Sequence, residues 1–145
     1  MKTLQLQKNL ISKLYKKERV LYAIANDKIY FTDGYTAWII DKEENFLNLE
    51  KMEENDNIKK YIEVFENEKS LPVTNLSLLL DKKYKNKIIS GECQGEKFYF
   101  NKDFLKNFEN DSTLYKTTTD PLGIIYVCEN KTLKGFIMPI KIDDN

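Results

Sequence analysis

The chain has 145 residues, 41% of them hydrophobic and 32% charged, with no net charge. That is one domain with room for a real core, and no apolar run approaches the roughly 20 residues of a membrane span. The absence of histidine excludes Ser-His-Asp and Cys-His catalysis and the common zinc sites, and the five glycines form neither a dinucleotide fingerprint nor a phosphate loop.

The start, MKTLQLQKNL, has no apolar block and no small-residue cleavage site, so no signal peptide is expected. Alternation of Leu4 and Leu6 predicts a short strand over 2–7, and Leu10, Ile11 and Leu14 predict a helix over 8–17. Strands follow over 20–25, 28–32 and 35–41. Asn26-Asp27 turns between the first two, and Asp33-Gly34 between the second and third, where Gly accepts φ > 0 without cost. The order is β-α-β-β-β.

The segment 41–56 is acidic and reads as a loop. Ile58, Tyr61, Ile62 and Phe65 predict a helix over 57–67. In SLPVTNLSLLLDKKYKN, Pro72 breaks the chain and Asn75 could cap a short helix. A strand over 87–90 then turns through GECQG.

The tail repeats the first pattern. It predicts a strand over 97–100, a helix over 101–109 with Phe104, Leu105 and Phe108 on one face, and a strand over 113–119. Asp120-Pro121-Leu122-Gly123 is a turn, followed by strands over 124–128 and 131–142 joined at Glu129-Asn130. At an offset of 94 residues Leu6 meets Phe100, Leu10 meets Phe104, Ile11 meets Leu105 and Leu14 meets Phe108. The expectation is one α+β domain: a first repeat over about 1–41, an acidic and helical insert over about 42–70, and a second repeat over about 71–145. Its helices should pack on one face of an antiparallel sheet.

Charge is unevenly spread. Lys2, Lys8, Lys13, Lys16, Lys17 and Arg19 stand against Glu18 alone in residues 1–20, whereas residues 41–70 hold ten acids and five lysines. Such asymmetry can mark a binding face, although 22 lysines against one arginine also suit a solvated surface in a lysine-rich proteome. Lys8, Lys13, Lys16 and Lys17 surround the apolar stripe of the first helix. Lys102 and Lys106 lie on the second, diluted by Asp103 and Glu109. Trp38 and the tyrosines could stack on bases or simply fill the core. The acids of 41–56 lack calcium-loop spacing. Cys93 and Cys128 read as free thiols of a reducing cytoplasm.

YAIANDKIYFTDGYTAWII resembles the hairpin of bacterial DNA sliding clamps, the β subunit of the replicative polymerase, in which a strand ends in a T-D-G turn. The stretch from Ser90 to Ile142 resembles the clamp's C-terminal half-domain. Phe100, Asn101 and Leu105 match its F-N-x-x-x-L helix, and Met138-Pro139-Ile140-Lys141 its M-P-x-[KR] tail. The resemblance leaves out roughly 42–69. Family clamps carry three such domains per subunit and close as dimers, whereas this chain has length for one. Many members also follow T-D-G with His-Arg-Leu, where this chain has Tyr35-Thr36-Ala37.

The resemblance implies a DNA-clamp-like domain built of two β-α-β-β-β repeats. It implies a non-enzymatic, cytoplasmic processivity factor of DNA replication, with a phage or another mobile element as the expected source. Lys8, Lys13, Lys16, Lys17, Arg19, Lys102 and Lys106 would meet DNA phosphates without regard to sequence. Thr32, Gly34, Tyr35, Ile137, Met138, Pro139 and Ile140 would form a pocket for a peptide of a polymerase or another replication protein. Copies would assemble as a homo-oligomer, and no cofactor, metal or membrane is implied. The alternative is a clamp-fold module that modulates or mimics a replication protein through its acidic segment, without encircling DNA. An enzyme is the third and least favoured class.

Overall fold

The computed structural model describes residues 1–118 and 122–142. Of the expected turn at 120–123, Asp120 and Pro121 lie outside the described residues, as does Thr119 of the preceding strand. The elements are α1 (Thr3–Tyr15), β1 (Leu21–Ala25), β2 (Lys28–Thr32), β3 (Thr36–Asp41), β4 (Glu53–Glu54), α2 (Asn57–Asn67), β5 (Ser70–Pro72), β6 (Thr74–Leu79), β7 (Ile88–Cys93), β8 (Glu96–Asn101), β9 (Thr113–Thr117), β10 (Ile125–Glu129) and β11 (Thr132–Ile137). Short 3-10 turns occupy Lys42–Glu44, Leu49–Lys51, Lys82–Tyr84 and Lys102–Leu105.

Eight strands form one sheet in the order β4-β1-β2-β3-β11-β10-β9-β5, antiparallel except for the two-residue β1–β4 pairing. The strands β6-β7-β8 form a second, antiparallel sheet. The fold is therefore α+β with mostly antiparallel sheet. Turn chemistry closes the hairpins. Gln94-Gly95 and Asn130-Lys131 both take positive φ at their two central residues, the backbone that matches strand twist. Pro72 sits on β5, an edge strand, where its missing N–H costs no ladder bond.

Alternation along the central strands sends side chains to two cores. Ile29, Phe31, Trp38 and Ile40 pack with Leu6 and Leu10 of α1 and with Phe104, Leu105 and Phe108. Ala23, Tyr30, Ala37 and Ile39 pack with Ile58 and Ile62 of α2 on the opposite face. So α1 and the Lys102–Leu105 turn share one face, while α2, from the middle segment, covers the other. The expectation of helices on one face alone is corrected in this respect.

Four further expectations are corrected. The strand over 2–7 is absent, because Leu6, Leu10 and Leu14 form one helical row and α1 begins at Thr3. Ile11 lies beside that row and is 47% exposed, so it is no core residue. The helix over 101–109 is only a 3-10 turn. Its bonds run three residues back, from the Lys106 N–H to the Asp103 carbonyl (3.3 Å) and from the Phe108 N–H to the Leu105 carbonyl (3.0 Å), and the carbonyls of Lys106 and Asn107 accept from Gln5 Nε2 of α1 (3.2 Å) and from the N–H of Lys2 just before it (3.0 Å). Asn75 caps no helix: it lies within β6 at φ 56°, where the pairing with β7 shifts register.

The join between β3 and β11 is unusually close. A Cβ at Gly135 would lie 2.0 Å from the Ala37 carbonyl oxygen and 2.9 Å from the Phe108 ring. Only a glycine admits that approach, which is steric and independent of turn geometry.

Candidate functional site

The corner FTDG is wider than a two-residue turn. Thr32 pairs with Ala37 across the ladder, and residues 33–36 span the bend. Asp33 Oδ1 accepts the Tyr35 and Thr36 N–H groups, each at 2.9 Å. Thr32 Oγ1 accepts the Gly34 N–H at 3.0 Å and donates to the Thr36 carbonyl at 2.8 Å. Gly34 sits at φ +96°, which a side chain would strain. These bonds satisfy the corner's donors locally and leave the Tyr35 ring 62% exposed, stacked on Phe104 at 5.9 Å between centroids.

The chain's tail returns to this corner. The Met138 N–H donates to the Tyr35 carbonyl at 2.8 Å. Thr32, Gly34, Tyr35 and Met138 then line a cleft of about 210 Å³ together with Leu21, Asn55, Asn57, Ile58, Tyr61 and Phe136. Its walls are mainly apolar and aromatic, with the Tyr61 and Phe136 rings packed edge to face at 5.7 Å. Such a cleft can hold an apolar side chain and offer a few polar groups at its rim.

Three of the expected pocket residues stand elsewhere. Ile137 is fully buried on β11, opposite Thr36. Pro139 lies against Gly123. Ile140 makes an isolated bridge to Tyr99, its N–H donating to the Tyr99 carbonyl at 2.8 Å. Sequence spacing alone gives no sign that α2 and Asn55 contribute. Tyr61 leaves a mostly buried helix face half-exposed, a signal that shows only once the helix has a place.

The basic residues are mostly exposed, but several are engaged. Lys13 Nζ lies 3.4 Å from Glu18 and 3.5 Å from Asp33. Arg19 bridges Glu53 at 3.2 Å with both partners exposed, a pair of little stabilising value. Lys8, Lys16, Lys17, Lys102 and Lys106 are exposed. Lys17 follows α1 at φ 62°. Lys13 and Lys106 come together at a cavity between α1 and the 102–107 segment. The remaining electrostatics are structural. Lys28 donates to Asp41, which holds the Asp41 carboxyl below its usual range and the Lys28 ammonium above its own. Burial pushes the Cys128 thiol up to about 11.

Comparison with family models, with curated proteins and with solved structures gives no significant match. No helix among the described residues is long and apolar enough to cross a membrane.

Proposed function

We propose that the chain is a sliding-clamp-like accessory protein of DNA replication that acts by binding and not by catalysis. The observation that carries this reading is the cleft at the T-D-G corner. Thr32, Gly34 and Tyr35 meet Met138 of the tail there, and these are motifs that the clamp resemblance pairs in a partner-peptide pocket. The strand order adds support. A helix followed by the meander β1-β2-β3, and a helical turn followed by the meander β9-β10-β11, stand back to back across the β3–β11 pairing. On this reading the exposed lysines of α1 and of the 102–106 segment face DNA phosphates, and a polymerase or another replication protein inserts an apolar peptide into the cleft.

Head-to-tail assembly would complete the clamp. The outer strand β6 exposes Leu76 and Leu78 beside an unpaired backbone edge and leads into exposed Lys82, Lys83 and Lys85. The β4 edge of the other sheet carries exposed Glu50, Glu53, Glu54 and Asp56. Edges of opposite charge favour joining unlike ends of two copies, which closes a ring only if the rotation fits. A second reading, a clamp-fold module that modulates a replication protein without encircling DNA, is favoured by one observation: Lys13 and Arg19 of the basic set are already paired with carboxylates.

Light scattering at micromolar concentration tests the ring, which needs about six copies of the 17.2 kDa chain. Low-salt duplex binding and capture of an apolar-anchored peptide test the two surfaces. A monomer that binds peptide through the cleft but not DNA would establish the modulator. A monomer that binds neither would overturn both readings.

A further inference from the structure

Four large apolar side chains stand in water on one side of the molecule. They are Leu4, Ile11 and Tyr15 of α1 and Phe46 of the segment beside it, each between 47% and 89% exposed. On α1, Leu4, Lys8, Ile11 and Tyr15 follow one another at steps of four, three and four, which sets them in one outer row. Leu4, Gln7, Ile11 and Leu14 form the next row toward the sheet. Gln7 is buried, and its amide clips the neighbouring segment to the helix. Nε2 donates to the Glu44 carbonyl at 2.9 Å, and Oε1 accepts the Phe46 N–H at 2.8 Å. Phe46 is thus tied down one helical turn from both Leu4 and Ile11.

The outward pose of Phe46 is fixed by its neighbours. Leu47 is buried in the core under the sheet. Asn45 Oδ1 accepts the Leu47 N–H at 3.0 Å, and Asn45 Nδ2 donates to the Leu47 carbonyl at 3.1 Å. These bonds turn Leu47 inward and hold Phe46 out. A lone exposed apolar residue is ordinary, whereas several gathered on one rigid surface mark a contact face.

The charges beside this face divide by side. Residues 3–17 carry Lys8, Lys13, Lys16 and Lys17 and no acid, while residues 42–54 carry five acids against two lysines. A peptide of either sign would be attracted by one border and repelled by the other. A second copy, turned by half a revolution, sets its acidic border against this basic one and the reverse, which is the self-complementarity that an isologous contact requires. The chain has no net charge, so two copies meet no long-range repulsion.

We propose that this face is the interface of a two-fold dimer of the chain. Leu4, Ile11, Tyr15 and Phe46 of the two copies pack together about the axis, and the lysines of α1 face the acids of 42–54 across the rim. The inference goes beyond the clamp reading and leaves the β6 edge open. It shares Lys8 and Lys16 with the proposed DNA face, so a dimer and a duplex compete for them.

Sedimentation equilibrium of the intact chain, from low to high micromolar concentration, should show a mass rising from 17.2 kDa toward twice that value. Phe46→Ser and Ile11→Ser should each weaken the dimer roughly a hundredfold, because each replacement acts twice across the axis and an apolar anchor is worth about tenfold or more. Both residues are exposed, so the urea midpoint of the dilute protein should stay at its wild-type value. The double variant Lys8→Glu, Lys16→Glu should weaken the dimer too, and adding Glu44→Lys and Glu50→Lys should restore it. No recovery in that fourfold variant overturns the two-fold charge matching. A chain that stays monomeric, or a dimer that Phe46→Ser and Ile11→Ser both leave intact, overturns the proposal. So does a dimer that Leu78→Lys dissolves instead, which places the contact on β6. A monomer whose binding to duplex DNA is weakened by Phe46→Ser assigns the face to a DNA complex and overturns it as well.

Discussion

At the scale of single residues, packing contrasts make sharp expectations. Leu10 is fully buried under the sheet and Ile11 is half-exposed beside it. Leu10→Ala should cost about 2–5 kcal/mol as a core truncation, and Ile11→Ala less than about 0.5 kcal/mol as a surface change. Equal losses in urea unfolding would contradict the placement of α1. Gly135→Ala forces a methyl into the Ala37 carbonyl. It should destabilise by about 1–3 kcal/mol or more as overpacking at a backbone contact that cannot yield, and a wild-type urea midpoint would refute the close β3–β11 approach. The Cys128 thiol is 3% exposed and, at about 11, stays protonated at neutral pH. A thiol reagent should therefore label Cys128 only after denaturant is added, because the thiolate is the reactive form. Rapid labelling of the native chain at Cys128 would show that β10 opens.

At the scale of elements, the hairpin β2–β3 carries an ion pair at its mouth, Lys28 with Asp41, opposite each other in the ladder. The Asp41 carboxyl is held low by the Lys28 hydrogen bond, so its contribution is present above the ordinary aspartate range and fades as pH falls through the lower folded value. The Lys28 ammonium is raised by the same bond. Its contribution is present below the ordinary lysine value and is lost as pH rises through the raised one. Both side chains are more than a third exposed, and solvent screening limits the pair to about 1 kcal/mol at most. Asp41→Asn should lower the urea midpoint slightly near about pH 7, and the difference should shrink as pH falls below the ordinary aspartate range. A difference that persists in acid would assign the effect to the turn at 42–44, which Asp41 also caps.

For the whole molecule, the open edges and the charge distribution make the tests. Leu78 is 44% exposed on β6. Leu78→Lys should abolish any head-to-tail oligomer seen by light scattering while sparing the fold, since charged side chains on an edge strand block edge pairing. An oligomer that survives the change would move the interface away from β6. If α1 lies on DNA, the double variant Lys8→Glu, Lys16→Glu should bind duplex more weakly and lower the salt slope by about two, one for each phosphate that a lysine no longer neutralises. An unaltered slope would take α1 off the DNA.

The sequence by itself determined the pieces whose signals are local. The hairpins of β1–β3 and β10–β11 and the helix Asn57–Asn67 follow from turn residues and from apolar spacing within a dozen positions. Only the tertiary structure decided which neighbours those pieces meet. A few residues of alternating leucine fit a strand as well as the start of α1, and contact with the sheet chose the helix. Phe104, Leu105 and Phe108 had helical spacing, but the backbone there closes three residues back, as a 3-10 turn packed against the core under α1. The run 74–79 became a strand because β7 was there to pair with it. The cleft at the T-D-G corner belongs to this second class. Thr32, Gly34, Tyr35 and Met138 were legible as candidates from their motifs, whereas Tyr61 and Asn55 gained meaning from the β3–β11 join and from the packing of α2. The reason is physical: propensity and turn chemistry act over a few residues, while pairing and burial are settled between segments about a hundred residues apart along the chain.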